Sequence, residues 1–287
     1  MLRYRTVMTR PPFRSATAFL AFLLLATGLS VPAARAQRDA SADAERYQNC
    51  MTLARSSKPD AGWEMAQEWK AVGGAHPAEH CAAVALIGMK QYIEAAVRLE
   101  KLAADMAKGP PALRADVLAQ AAQAWLLGGQ PDRAEGALTD ALGITPNDPD
   151  LLIDRSEAFA ATKHYAEAIA DLDRAVELEP RRADALIYRA SAHRELKQYD
   201  AALADVEKAL KFAPESPEAL LERGNIRRIK GDANGARRDW VQVSLLAPNT
   251  PADEAAKANI ERLDVRGGAA DAPAPASAAP SSSAKKR

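Results

Sequence analysis

Four prolines, Pro146, Pro180, Pro214 and Pro248, follow one another at a constant step of 34 residues. Four alanines, Ala134, Ala168, Ala202 and Ala236, keep that step twelve residues ahead of each proline. A fixed period of this length is the mark of a tandem repeat, in which one short unit cannot bury its apolar face alone and stacks on copies of itself. The constraint is severe. Such a chain needs no single central core, and its length says little about how many domains it forms.

The period sets a frame in which units begin at Ala115, Pro149, Ala183 and Pro217. Position 4 is Leu118, Leu152, Leu186 and Leu220, and position 8 is Ala122, Ser156, Ala190 and Gly224. Position 24 is Leu138, Leu172, Val206 and Trp240, and position 27 is Ala141, Ala175, Ala209 and Val243. Positions 4, 8 and 11 fall on one face of a first helix, and 20, 24 and 27 on one face of a second. Small residues at 8 and 20 let the two axes approach, and the larger ones fill the layer between them. Hydrophobic residues make up 48% of the chain and aromatics only 5%. That balance suits close-packed helices better than strands.

These columns resemble the tetratricopeptide repeat, a 34-residue helix–turn–helix unit with a small residue at 8, alanine at 20, a large apolar residue at 24, alanine at 27 and proline at 32. Ser156, Ala168, Leu172, Ala175 and Pro180 supply that set in one unit, and Ala190, Ala202, Val206, Ala209 and Pro214 in the next. The resemblance implies an all-α, right-handed helical solenoid of about six units with a C-terminal capping helix. Residues 115–250 hold four regular units, and residues 37–114 hold degenerate ones in which Tyr92, Ala95 and Leu99 match the spacing of Tyr165, Ala168 and Leu172. Helices are expected at 42–54, 59–71, 78–89 and 92–106, with an irregularity at Gly109-Pro110-Pro111. The bulky position 11 is Trp125 and Phe159 but then His193 and Arg227, so the last two units are expected to pack more loosely there or to expose that position.

The resemblance also implies a concave groove lined by positions 2, 5, 9 and 12 of each first helix. Position 5 is Ala119, Ile153, Ile187 and Leu221, an apolar stripe. Around it stand Gln123, Glu157, Ser191 and Asn225 at position 9, with Arg194 and Arg228 at position 12. An apolar floor with charged flanks suits an extended peptide or a partner helix. The alternative is that position 5 is core. Chaperone-binding members carry lysine at 5, and this chain has aliphatics there, so carboxylate clamping does not transfer.

The ends read differently. Arg3, Arg5, Arg10 and Arg14 precede an apolar run from Phe19 to Leu25, and Ala34-Arg35-Ala36 offers a cleavage site before Gln37. This is the pattern of a Sec-type signal peptide over 1–36 and implies the periplasm, or secretion, with no stable membrane anchor after cleavage. The run is shorter than the roughly 20 apolar residues that span a bilayer. The 38 basic and 38 acidic residues cancel, but five of the arginines lie in 1–36, which leaves the mature chain at −5. Nucleic acid is therefore not an expected partner. Residues 251–265 read as a capping helix with Thr250 as N-cap. The Ala/Pro/Ser tail over 266–287 reads as disordered.

Few residues carry candidate chemistry. Cys50 and Cys81 are the only cysteines. In an oxidising compartment an even pair reads as a disulfide, and in the repeat frame both lie on neighbouring first helices; two buried thiols are the alternative. His76-Pro77-Ala78-Glu79-His80 fits H-x-x-E-H, the pattern of one zinc peptidase class. If Pro77 opens the helix, His76 stays outside it and the two rings diverge, so no metal and no cofactor are expected. His164 and His193 read as structural. The basic run Arg223, Arg227, Arg228, Lys230 reads as a solvated face. The expectation is a non-enzymatic scaffold for a protein or peptide client. A self-assembling envelope protein is the competing class.

Overall fold

A computed structural model describes the backbone of residues 33–270 and the side chains of 41–265. The expected signal peptide up to residue 32 and the tail beyond residue 270 lie outside the described residues. Every regular element in the described part is a helix. The chain is an all-α helical solenoid, and its helices divide between two compact units, 1–214 and 215–287.

The first unit holds five helix pairs: α1 (Ala33–Ala54) with α2 (Pro59–Ala71), α3 (Ala75–Gly88) with α4 (Tyr92–Asp105), α5 (Pro111–Leu127) with α6 (Pro131–Ile144), α7 (Pro149–Ala161) with α8 (Tyr165–Leu178), and α9 (Ala183–Glu195) with α10 (Tyr199–Phe212). Each helix packs on the next in sequence, and the first helices α5, α7 and α9 also adjoin in a row. Contact restricted to neighbours is what a stacked repeat produces. The second unit holds α11 (Pro217–Ile229), α12 (Ala233–Leu246) and α13 (Pro251–Ala270).

Local chemistry sets each boundary. A residue before proline is pushed out of the α region, and Thr145, Glu179, Ala213 and Ala247 leave the helix with ψ of 78°, 81°, 76° and 61°. First helices stop by a left-handed residue at position 15 of the frame: Gly129, Lys163, Lys197 and Gly231 have φ of 72°, 67°, 61° and 90°. The next residue's N–H then reaches back along the helix, as from His164 to the Phe159 carbonyl and from Gln198 to that of His193, both at 2.8 Å. This closure satisfies carbonyls that a helix end otherwise leaves open. Lysine tolerates the left-handed region less well than glycine, so only two of these four stops show in the composition of the turn.

The alanine columns form the interior. Ala134, Ala168, Ala202 and Ala236 are all at most 1% exposed. In the second unit Gly224 faces Trp240, buried completely, whose indole nitrogen lies 2.5 Å from where a Cβ on Gly224 would sit. The smallest residue at position 8 thus accompanies the largest at position 24. At the other end, Cys50 and Cys81 are bonded, with Cα atoms 6.1 Å apart. The bond ties α1 to α3 inside a buried cluster with Tyr47, Met51 and Trp69.

Several boundaries differ from expectation. Helix α1 starts at Ala33 instead of 42 and crosses the expected cleavage point before Gln37. Helix α3 begins at Ala75, so His76 lies inside it and Pro77 at its third position, where the first-turn N–H has no helical acceptor to lose. Helix α5 begins four residues ahead of Ala115. Helix α13 runs five residues past 265, into the stretch expected to be unstructured; extending an established helix costs far less than nucleating one. Its start is capped by two side chains: Asp253 N–H donates to Thr250 Oγ1 at 3.3 Å, and Asn249 N–H, just ahead of the cap, donates to Asp253 Oδ2 at 2.8 Å. No helix among the described residues is long and apolar enough to cross a membrane.

Candidate interaction surface

The expected groove residues fall on the first helices, but the apolar stripe is not open. In the first unit Ala119 is 6% and Ile153 3% exposed, and only Ile187 is half-buried. In the second unit Leu221 is 8% exposed. An aliphatic side chain that adjoining helices can cover is drawn into the layer between them, so Ile153 and Leu221 belong to the core and not to an open floor. Ser191 is likewise 7% exposed.

Several of the expected groove positions in the first unit stay partly open, with Leu126 and Ala160 at position 12 among them. Gln123 on α5, Glu157 on α7, and Ile187 and Arg194 on α9 are half-buried. Arg194 donates to Glu195 at 2.7 Å and to Ser191 at 3.4 Å. In the second unit Arg228 is exposed. The Asn225 carbonyl oxygen accepts from Asn259 of α13 at 2.9 Å. Asn259 stands 34 residues after Asn225, as Pro251 does after Pro217, so α13 repeats the register of a first helix and occupies Asn225 itself.

Within single helix pairs, an ion-pair rung joins the first helix to the second. Arg155 forks onto Asp171 with two bonds of 2.8 Å, and Arg189 onto Asp205 with bonds of 2.8 and 2.6 Å. In the second unit Arg223 holds Asp239 at 3.0 and 2.7 Å. Asp171, Asp205 and Asp239 are at most 7% exposed. The hydrogen bonds to Asp171 and Asp205 raise the pKa values of Arg155 and Arg189 above the ordinary range, which favours charged, paired forms. The arginines sit at position 7 and the aspartates at position 23 of their units. That regular column was present in the sequence at the same 34-residue step; reading the frame for apolar residues alone missed it.

These ion pairs also correct two expectations. Position 11 does not loosen in the later units. Arg227 Nη1 donates to Asp239 at 2.8 Å, and His193 Nε2 lies 3.8 Å from Asp205, so a polar reach to the aspartate replaces aromatic packing. The basic run is accordingly not one solvated face, since Arg223 and Arg227 point their charge at a buried carboxylate. Where the aromatic persists, Trp125 is fully buried, donates to Glu100 at 2.6 Å and lies under Arg133 at 3.7 Å.

The H-x-x-E-H residues do not converge on a metal. His80 is completely buried and both ring nitrogens are engaged, Nδ1 with the Tyr47 hydroxyl and Nε2 with Gln120 Oε1, each at 2.8 Å. Burial lowers its pKa to about 4, and raises that of Tyr47. A neutral ring with Nε2–H donating to Gln120 and Nδ1 accepting from Tyr47 satisfies all three groups. Glu79 is bound by Lys70 and by Arg98, the latter at 3.0 Å. Burial works against its charge, but those two hydrogen bonds hold it below the ordinary carboxylate range. His164 Nδ1 contacts Thr162 at 3.1 Å and His193 Nδ1 contacts Gln198 at 2.6 Å. Each thus meets a residue of its own turn.

Comparison with known proteins agrees with this geometry. The tetratricopeptide repeat family profile matches residues 153–217 and 196–254. A thermophilic tetratricopeptide repeat protein from Thermus thermophilus is 19% identical, with a TM-score of 0.54 over 67% of this chain and 100% of that one. The MamA RS-1 ArsTM double mutant is 19% identical, with a TM-score of 0.50 over 63% of this chain and 93% of the other. The first such domain of Spaghetti (RPAP3), bound to an HSP90 peptide, is 27% identical with a TM-score of 0.40, over 41% of this chain and 93% of that one. No curated protein matches the chain. Residues 153–254 thus carry the tetratricopeptide repeat matches, and the helix pairs and alanine columns continue the same 34-residue pattern ahead of them.

Proposed function

We propose that the chain is a non-enzymatic scaffold of the periplasm that holds a protein or peptide client along its row of first helices. The observation that carries this reading is the half-buried set Gln123, Glu157, Ile187 and Arg194 on the adjoining helices α5, α7 and α9. Ile187 packs against the core and is not fully covered by it. A small apolar anchor ringed by hydrogen-bonding and charged groups suits a peptide whose backbone and side chains both need partners. The closed position of Ile153 narrows the expected stripe to Ile187. The arginine-rich leader and the single disulfide favour an oxidising compartment.

The test places a photo-cross-linkable residue at position 123 in cells and follows the adducts by mass spectrometry. Ile187→Asp combined with Arg194→Glu should abolish them while far-ultraviolet circular dichroism stays unchanged. An unchanged adduct pattern in the folded double variant would remove this surface from consideration. The compartment is checked separately: the mature chain should be recovered from the periplasmic fraction beginning at Gln37, and recovery from the cytoplasm with Met1 intact would refute export.

A second reading, self-association, has one specific support in the second unit. Val241 and Leu245 on α12 are 45% and 71% exposed. Their columns hold Thr139, Asp173 and Glu207, and Gly143, Glu177 and Lys211, in the other units. Light scattering should show an oligomer that Leu245→Asp dissociates if that reading is right, and a monomer if it is wrong.

A further inference from the structure

The repeat is interrupted once, and a cleft lies at the interruption. Tyr92 to Ala115 spans five residues more than the corresponding stretch from Tyr165 to Ala183. There the second helices α4 and α6 flank an open cleft of about 710 Å³ floored by α5. That volume falls within the roughly 300–1,000 Å³ of small-ligand sites.

Helix α6 presents Gly136, Asp140 and Gly143 to this cleft. Both glycines lie inside the helix, where glycine is disfavoured, and a Cβ on either would meet nothing within 4 Å. The fold therefore does not require them. The equivalent positions hold Ala170 and Glu177 in the next unit and Ala204 and Lys211 in the one after, so the glycines occur only where the cleft does. They leave the backbone of α6 uncovered by the other described residues.

The charges of the lining narrow what that is. Glu100 and Arg133 are committed to one another at 2.9 Å and to Trp125, and they form a fixed wall. Arg114 on α5 donates to the Ala107 carbonyl at 3.2 Å and lines the cleft together with Asp140, which is exposed between the two glycines. One cation and one anion on different helices are complementary to a ligand carrying both signs. From Gly136 to Gly143 the helix rises about 10 Å, the length of about three residues of extended chain. We propose that this cleft is a second binding site, taking a short extended polypeptide segment of small side chains bracketed by a cationic group and a carboxylate. It is separate from the first-helix face and stands or falls independently of that reading.

The probe is a fluorescent pentapeptide with lysine first, three alanines and glutamate last, titrated by polarisation against the full chain. Saturable binding at millimolar affinity or better is expected. Gly143→Leu should weaken it at least about tenfold, roughly 1.4 kcal/mol, while the melting temperature stays level or rises, because leucine is the better helix former and the space is open. That combination separates a ligand site from a structural role, which would lower both. Asp140→Lys should weaken the probe similarly and improve binding of the same peptide with glutamate at both ends. No saturable binding at millimolar peptide would overturn the proposal. So would affinity unchanged by Gly143→Leu, or full displacement by inorganic phosphate, which would mark a plain anion site at Arg114.

Discussion

Gly224 and Trp240 make a pair whose coupling can be calculated and measured. A methyl group at 224 would stand 2.5 Å from Trp240 Nε1, 2.7 Å from Cδ1 and 3.0 Å from Cε2. Real Cβ contacts do not reach the shortest of these, and the indole cannot yield easily because it is fully buried and its N–H reaches the Leu221 carbonyl at 3.4 Å. Overpacking of this kind costs about 1–3 kcal/mol. Gly→Ala inside a helix returns about 0.8–1.0 kcal/mol. Gly224→Ala should therefore destabilise by about 1 kcal/mol. In a Trp240→Leu background, which resembles the Ser156 and Leu172 arrangement of an earlier unit, the clash is gone and the same substitution should stabilise by about 1 kcal/mol. The sign reverses, and the coupling energy in the double-mutant cycle is about 2 kcal/mol. Urea unfolding followed by circular dichroism gives all four corners of the cycle. A stabilising Gly224→Ala in the natural background, or the same sign in both, would refute the size-exchange argument.

The ion pairs and the buried histidine give two further tests. Arg189→Ala leaves Asp205 with His193 at 3.8 Å as its remaining side-chain neighbour of basic character, and should cost about 2–3 kcal/mol in urea unfolding, at the lower end for a buried pair because Arg189 is 18% exposed; Arg189→Met with Asp205→Leu should recover most of it, and no recovery would show that the carboxylate acts otherwise. His80 stays neutral in the fold down to about pH 4, whereas the unfolded chain takes up that proton below about pH 6.5. Its contribution is therefore complete above pH 6.5 and is lost as the pH falls toward 4, about 3 kcal/mol over that window. His80→Gln should flatten the slope of stability against pH there, and equal slopes in both proteins would disprove the assignment.

Much of the architecture could be read without coordinates because it depends on local rules. Pro146, Pro180, Pro214 and Pro248 end second helices through the conformation they impose on the preceding residue. Alanine at position 20 needs only a close neighbouring helix to be explained. Lys163 and Lys197 show the limit of this: both take the left-handed turn that Gly129 and Gly231 take, yet nothing in a lysine announces it, since the geometry is enforced by the helices on either side. Among the candidate site residues, Gln123, Glu157, Ile187 and Arg194 were placed correctly on first helices by the repeat frame alone. Whether each was open to a partner was not readable, because exposure depends on how closely the next helix lies.

The period alone therefore determined the unit, its two helices, their facing alanine columns and the half-repeat register of α13, since these follow from spacing along one chain. Tertiary structure decided the rest. It closed Ile153 and Leu221 into the core, because adjoining first helices cover them. It turned Arg223 and Arg227 inward onto Asp239, because a buried carboxylate sixteen or twelve residues away is near only after the helices pair. It removed His80 from metal chemistry, because Tyr47 and Gln120, 33 and 40 residues distant, meet its two nitrogens only when α1, α3 and α5 come together.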